Sequence, residues 1–250
     1  MRTLTQVWVF FVSLTITLLF IGFQLKGRLG LFLSFIFSLF LMYVILHRGL
    51  LLFRKQKQYV EQKGSEPTGF LKILNSLKYD YNIQSIHFYL TTEKTPPLIW
   101  KDYPDFGYVV INDQLLKHLS DSERMILAHF LLAHLKVRPT FRPRLFSVFE
   151  FGFLHLQLLF APLMSLAATL FQSQKYYLRS DLLGLQNSHV SNYEYGYFLK
   201  KLHDFEFHGT KNLQGAEYFS ALTAANHSFW KNFGQPTLEK RFISVMGFAP

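Results

Sequence analysis

The sequence predicts an α+β fold, mostly helical, in which an N-terminal transmembrane hairpin (1–50) precedes a domain (51–250) with a small sheet. Three features predict it. Two uncharged apolar runs open the chain, at 7–23 and 29–46. Short runs rich in β-branched and aromatic residues, at 84–90 and 108–111, read as strands. Most of the remaining apolar residues recur with the spacing of a helical face.

The first apolar run is barely long enough to span a bilayer; the second follows it after a short turn at 24–28. A signal peptide is the competing reading of the first run. The lack of a small-x-small cleavage site and the second run directly behind it argue against that. Lys26 and Arg28 lie in the turn, against Arg48, Arg54, Lys55, Lys57 and Lys63 after the second run. That excess puts the body of the protein on the cytosolic side. The basic segment 48–63 is expected to leave the membrane as a helix able to meet anionic head groups. Gly64, Pro67 and Gly69 make 64–69 a turn. Phe70, Ile73, Leu74 and Leu77 give 70–78 helical spacing. Between the two strands, 91–105 carries Pro96, Pro97 and Pro104 and reads as a loop.

Ser120 and Glu123 have the spacing of a capping box, so a helix starts at Ser120 and extends through Lys136. Met125, Ile126, Leu127, Phe130, Leu131, Leu132 and Leu135 make it apolar round most of its circumference, which predicts burial. A zinc-peptidase helix would carry H-E-x-x-H here. Histidines at i and i+4 lie roughly 40° apart and share one ion, and the Glu acts as general base. This helix has His129 and His134 instead, at i and i+5, which diverge by roughly 140°. No Glu or Asp lies between them.

Pro139 and Pro143 then break the chain. A third apolar stretch, 145–171, is interrupted only by Glu150, His155 and Gln157. It is too short to cross a bilayer twice at about 20 residues per helical crossing. A re-entrant hairpin bent at Pro162, or an amphipathic lid in the interface, is therefore expected; a third full span is the competing reading. Glu150 and His155 read as interfacial snorkelling side chains. Helices follow at 175–185, at 191–202 (with Tyr193, Tyr195, Tyr197 and Phe198), at 215–230 and at 235–247. The stretch 203–208, HDFEFH, would as a strand part His203 and Phe205 from Asp204, Glu206 and His208. A metal site is not favoured there.

Four stretches carry a resemblance, in order. IGFQLKGRLGLFLSFIFSLFLMYVILHRG looks like a pair of N-terminal membrane segments. FGYVVINDQLLKHLSDSERMILAH looks like a strand and LS-x-x-E approach to an active-site helix. KYYLRSDLLGL is similar to an E-x-x-x-D helix, and QPTLEKRFISVMG to a closing H-P-x-x-E-x-R-I segment with Gln235 in place of the His. Together they resemble the HtpX family of membrane-embedded zinc endopeptidases, relatives of the CAAX prenyl proteases. The resemblance implies a gluzincin-like metallopeptidase-type domain.

Aligned without a gap through Ser120 and Glu123, the family's first zinc histidine falls on Phe130, its catalytic glutamate on Leu131 and its second histidine on His134. A gapped alternative puts His129 on the first histidine, Phe130 on the glutamate and Ala133 on the second histidine. The third ligand falls on Tyr177, and the supporting aspartate on Asp181. Either way the general base and one histidine are lost. In active relatives the region 91–105 supplies the edge strand along which substrate lies, and its prolines here argue against strand addition by a peptide.

The implied reading is a membrane-anchored, catalytically inactive relative with no cofactor and a degenerate former site at Phe130, Leu131, His134, Tyr177 and Asp181. These side chains are expected to fill the old cleft. The protein would act by binding membrane-protein clients or an active relative, in a bacterial inner membrane with the main domain cytosolic. The alternative is an active zinc endopeptidase with a displaced constellation, for which His134 and His129 are the candidate ligands. An unrelated membrane structural protein is the third reading.

Composition agrees with a membrane setting. Half of the 250 residues are hydrophobic and 28 are Phe, with aromatics at 18%. The formal charge of +10 suits an anionic membrane face, and no nucleic-acid-reading motif accompanies it. There is no cysteine, which excludes disulfides and thiolate chemistry.

Overall fold

The computed structural model describes residues 2–48, 59–64, 66, 68–92, 96–102, 106–137, 174–205, 221 and 236–248. The chain divides into two compact units, Met1–Lys57 with Phe141–Gln172, and Gln58–Thr140 with Ser173–Pro250.

In the first unit, helix α1 (Arg2–Tyr43) is interrupted by non-helical dihedrals at Lys26 and at Gly27, whose φ of 55° suits a residue without a Cβ. The chain doubles back there. Gly22 and Gly30, eight residues apart, approach so closely that a Cβ on either would collide with the other's backbone. A π-helical turn, Val44–Arg48, follows. Val7–Leu46 is long and apolar enough to cross a membrane, and large apolar side chains such as Trp8, Phe20, Phe32 and Phe40 lie exposed along it. Nearly continuous apolar exposure of this kind is what a helix facing lipid presents.

The second unit is mostly helical with a small mixed sheet. Its strands are β1 (Val60–Glu61), β2 (Ser85–Thr91), β3 (Leu98–Asp102) and β4 (Phe106–Asn112), in the order β1-β2-β4-β3. The central pair β2–β4 is parallel, and β1 and β3 add antiparallel on the two sides. Two expectations are corrected. The stretch 91–105 is not all loop: β3 lies within it, because Pro96 and Pro97 precede the strand rather than interrupt its ladder. The helix expected over 48–63 does not reach its end, since Val60 and Glu61 pair with Leu90 and Tyr89. Residues 49–58 lie outside the described residues.

The helices are α2 (Phe70–Leu77), which tightens into a 3₁₀ turn at Lys78–Tyr81; α3 (Asp113–His118); α4 (Asp121–Val137); α5 (Gln174–Ser188); α6 (Asn192–Asp204); and α7 (Leu238–Met246). Their ends follow local chemistry. Asn112, Ser191 and Thr237 each accept a backbone N–H at a helix start, and Gly247 closes α7 at φ 84°. At α4 the capping box forms: Glu123 N–H donates to Ser120 Oγ at 3.3 Å, and Ser120 N–H to Glu123 Oε2 at 2.8 Å. The Glu123 carboxylate also accepts from Lys201 Nζ of α6 at 2.6 Å. Burial pushes Glu123 up, but the Lys201 and Ser120 bonds outweigh it and hold the carboxyl below its ordinary value.

The sheet lays Phe88, Val109, Ile111 and Ile99 on a core shared with α2, α4 and α6. At Gly107 of β4 the missing side chain leaves room for Leu135 of α4. Every α4 residue from Ile126 to Leu135 is buried, as its apolar circumference requires. The other face of the sheet carries an aromatic row in register, His87 on Tyr108 (ring centroids 4.8 Å) and Tyr108 on Trp100 (5.2 Å). Glu61 of β1 fixes the outer end, 2.7 Å from His87 Nδ1.

The strand geometry considered for 203–208 does not apply at its start. His203 and Asp204 finish α6, and Phe205 caps it. The helix expected at 215–230 is described only at Ala221, which lies in a bend. The apolar stretch 145–171, with Glu150, His155 and Pro162, lies outside the described residues, as do Gln235 and Glu206–His208.

Candidate functional site

Three helices meet around Asp181. On α4, Leu127, Phe130, Leu131 and His134 recur at helical spacing along one face; on α5, Tyr177, Asp181 and Gly184 do the same. The two stripes pack together because Gly184 has no side chain: a Cβ there would meet the Tyr195 hydroxyl and the Cα of Phe130. From α7, Arg241 enters the same interior and is among the largest fully buried side chains.

The polar contacts converge on one carboxylate. Arg241 Nε donates to Asp181 Oδ2 at 2.7 Å and Nη2 to Oδ1 at 2.6 Å, the fork geometry of a bidentate pair. His134 Nε2 lies 3.1 Å from the same Oδ1. Burial alone would raise the Asp181 carboxyl, but the Arg241 charge, with the His134 and Arg241 hydrogen bonds, holds it below its ordinary value. Burial works against the Arg241 cation, and the Asp181 charge reverses that, raising it above the ordinary arginine value. A carboxylate only accepts, so His134 donates through Nε2.

Aromatic rings wall the pair in. The guanidinium carbon sits 5.5 Å from the Phe130 ring and 5.6 Å from the Tyr177 ring, within cation–π range of both. Phe130 lies 4.5 Å from the His134 ring, and Tyr177 5.5 Å from it on another side. Leu131 is fully buried next to them. Phe130, His134, Tyr177 and Asp181, picked out one by one from the sequence, are thus brought into one cluster.

His129 is not part of it. As the spacing requires, it points elsewhere, and its Nδ1 lies 2.9 Å from the Tyr81 hydroxyl. Burial holds His129 below its ordinary 6.5, opposed by nearby Asp80 and reinforced by His189. The Tyr81 phenol is pushed up to about 12, chiefly by burial, with a hydrogen bond to Asn187 acting the other way. With His129 neutral, the tautomer sets the direction of this bond: the phenol donates where Nδ1 is bare, and accepts where Nδ1 carries the proton.

The donor set does not fit a zinc ion. Phe130 and Leu131 offer no ligand atom, and Tyr177 offers only a phenol. Both oxygens of Asp181 are bound to a guanidinium, whose charge would oppose a dication. Among the described residues no group of three or more His, Asp or Glu is placed to hold a metal. His203 lies in the last turn of α6, held below its ordinary value chiefly by burial.

Sequence reasoning gave no role to Arg241, Tyr195 or Ala221. For Arg241 a signal existed: it is the lone cation on the face that buries Phe242 and Val245, and such a cation needs a buried partner. Ala221 had none. Its N–H donates to the Pro97 carbonyl at 2.9 Å, just ahead of β3, and its own carbonyl accepts from Arg241 Nη1 at 3.4 Å. No protein-family model, curated protein or solved structure matches the chain.

Proposed function

We propose that this protein is a membrane-anchored, catalytically inactive relative of the HtpX-type zinc endopeptidases, working by binding rather than by cleavage. One observation supports this most. The positions that the resemblance assigns to a ligand, the general base and a second ligand hold Phe130, Leu131 and Tyr177, all buried, and Arg241 fills the space between two of them against Asp181. None of those three side chains is suited to hold zinc or to activate a water, and the Asp181 carboxylate beside them is taken up by Arg241. The ligand set and base that such an enzyme needs are therefore not found together among the described residues.

In this reading α1 inserts as a hairpin in a bacterial inner membrane, and the basic residues after it hold the domain in the cytosol. The domain keeps the peptidase scaffold and engages membrane-protein clients or an active relative. The displaced-site alternative is not favoured: His129 is engaged with Tyr81 and His134 with Asp181, on divergent faces of α4.

The test is zinc per molecule, measured on detergent-purified protein prepared without chelators or a histidine tag. A ratio near zero is expected. A ratio near one, lost in His129→Ala or His134→Ala together with peptidase activity, would overturn the proposal in favour of the active enzyme.

A further inference from the structure

Helices α6 and α7 pack side by side and antiparallel. Tyr193, at the start of α6, packs against Phe248, just beyond the end of α7, with ring centroids 5.7 Å apart and the rings tilted by 53°. One turn further along, Gly196 lies so close to Met246 that a Cβ would collide with its sulfur. The outward side of this pair is apolar. Tyr193 is 68% exposed, Tyr197 69%, Ile243 47% and Phe248 42%. On α6, Tyr193, Tyr197 and Lys200 share a face at i, i+4 and i+7. Exposed Lys200 and Lys240 stand towards the opposite end of the strip from the Tyr193–Phe248 contact, with Glu239 beside them. The Glu194 carboxylate is engaged in the capping box with Ser191.

Single exposed apolar residues are ordinary, but four adjoining across two helices are not. Their chemistry is that of a membrane interface. Tyrosine has an apolar body and a polar tip, and lysine reaches head groups along an apolar stem. The occupant is also close at hand if α1 is in a bilayer. Arg48 and Tyr59 are eleven residues apart, at most about 40 Å of chain, so the domain is tethered within that length of the anchor's end.

We propose that Tyr193, Tyr197, Ile243 and Phe248 form a second membrane contact, lying at the boundary between head groups and acyl chains. This rests on the reading of α1 as a membrane anchor, and the experiment separates the two. Because the chain has no cysteine, single labels are straightforward. Tyr197→Cys, Phe20→Cys and Tyr79→Cys are each labelled with an environment-sensitive fluorophore on the full-length protein in nanodiscs, with and without brominated phospholipid. Phe20 reports the anchor, and Tyr79 is an exposed tyrosine outside the strip. Quenching is expected at 20 and at 197, severalfold above that at 79. Quenching at 20 with none at 197 would overturn the contact and leave the anchor standing, assigning the strip to a second copy or a soluble partner. Equal quenching at 197 and 79 would overturn it as well. No quenching at 20 would overturn the anchor, and the contact with it.

Discussion

Arg241 grips Asp181 through two hydrogen bonds of 2.6 and 2.7 Å, with both side chains out of solvent. The pair joins α7 to α5, and His134 joins the same carboxylate to α4. Three elements far apart in sequence are thereby fixed in register at one point.

Removing either partner leaves the other charge buried without compensation. Asp181→Leu and Arg241→Met should each lower the unfolding free energy by about 3–5 kcal/mol. The double variant should lose much less than the sum, because it buries no orphan charge. Thermal or denaturant unfolding in detergent provides the cycle. Additive losses would mean that the two side chains act independently, against the geometry.

The Tyr195 hydroxyl tests the same interior from another side. It is fully buried, finds no hydrogen-bond partner among the described residues, and occupies the space that a side chain at Gly184 would take. Burial raises its phenol well above the ordinary value. An unsatisfied buried hydroxyl costs about 1–3 kcal/mol. Tyr195→Phe should therefore be neutral or stabilising in the same unfolding measurement, by up to about 1 kcal/mol. A clear loss would show that the hydroxyl serves a bond.

How much of this was legible in the sequence depends on range. The capping box at Ser120 and Glu123, the burial of α4 and the divergence of His129 from His134 follow from spacing within one helix, and each is present. The two central strands likewise follow from their own side chains. What was missed depends on partners. β3 looks like a loop because its prolines are visible and its ladder with β4 is not. Val60 and Glu61 form a strand only because β2 lies beside them. HDFEFH alternates like a strand, yet His203 and Asp204 continue α6, whose capping box and buried Leu202 outweigh the alternation. The cluster at Asp181 was half legible: the degenerate motifs name its positions, Arg241 included, but nothing in their spacing says that Arg241 meets Asp181 between Phe130 and Tyr177.

Acid should weaken the fold first through buried histidine. His129 and His203 are both held below 6.5 in the folded protein, chiefly by burial. As pH falls, the unfolded chain therefore takes up these protons before the folded one does. Their contribution is complete above pH 6.5 and drains away as pH drops towards the folded values. Asp181, held below 3.8, adds a second loss at lower pH. The melting temperature of the wild type should thus fall between about pH 7.5 and about pH 5.5, and that of His129→Gln should fall less. An equal fall in both would show that His129 is not among the groups responsible.

Rebuilding the family's constellation tests whether the interior around Asp181 is a dormant active site or a core. Phe130→His, Leu131→Glu and Tyr177→Glu together would restore the implied ligands and base beside His134. In the present packing they also replace three fully buried side chains by polar or charged ones, against an Arg241 already committed to Asp181. Desolvating two carboxylates and losing the ring contacts on the guanidinium should cost several kcal/mol. The triple variant should therefore unfold at markedly lower temperature and bind no stoichiometric zinc. If it instead kept wild-type stability, took up one zinc and cleaved an unfolded membrane substrate, the site would be preorganised for catalysis, and the binding-only function proposed for this chain would have to be abandoned.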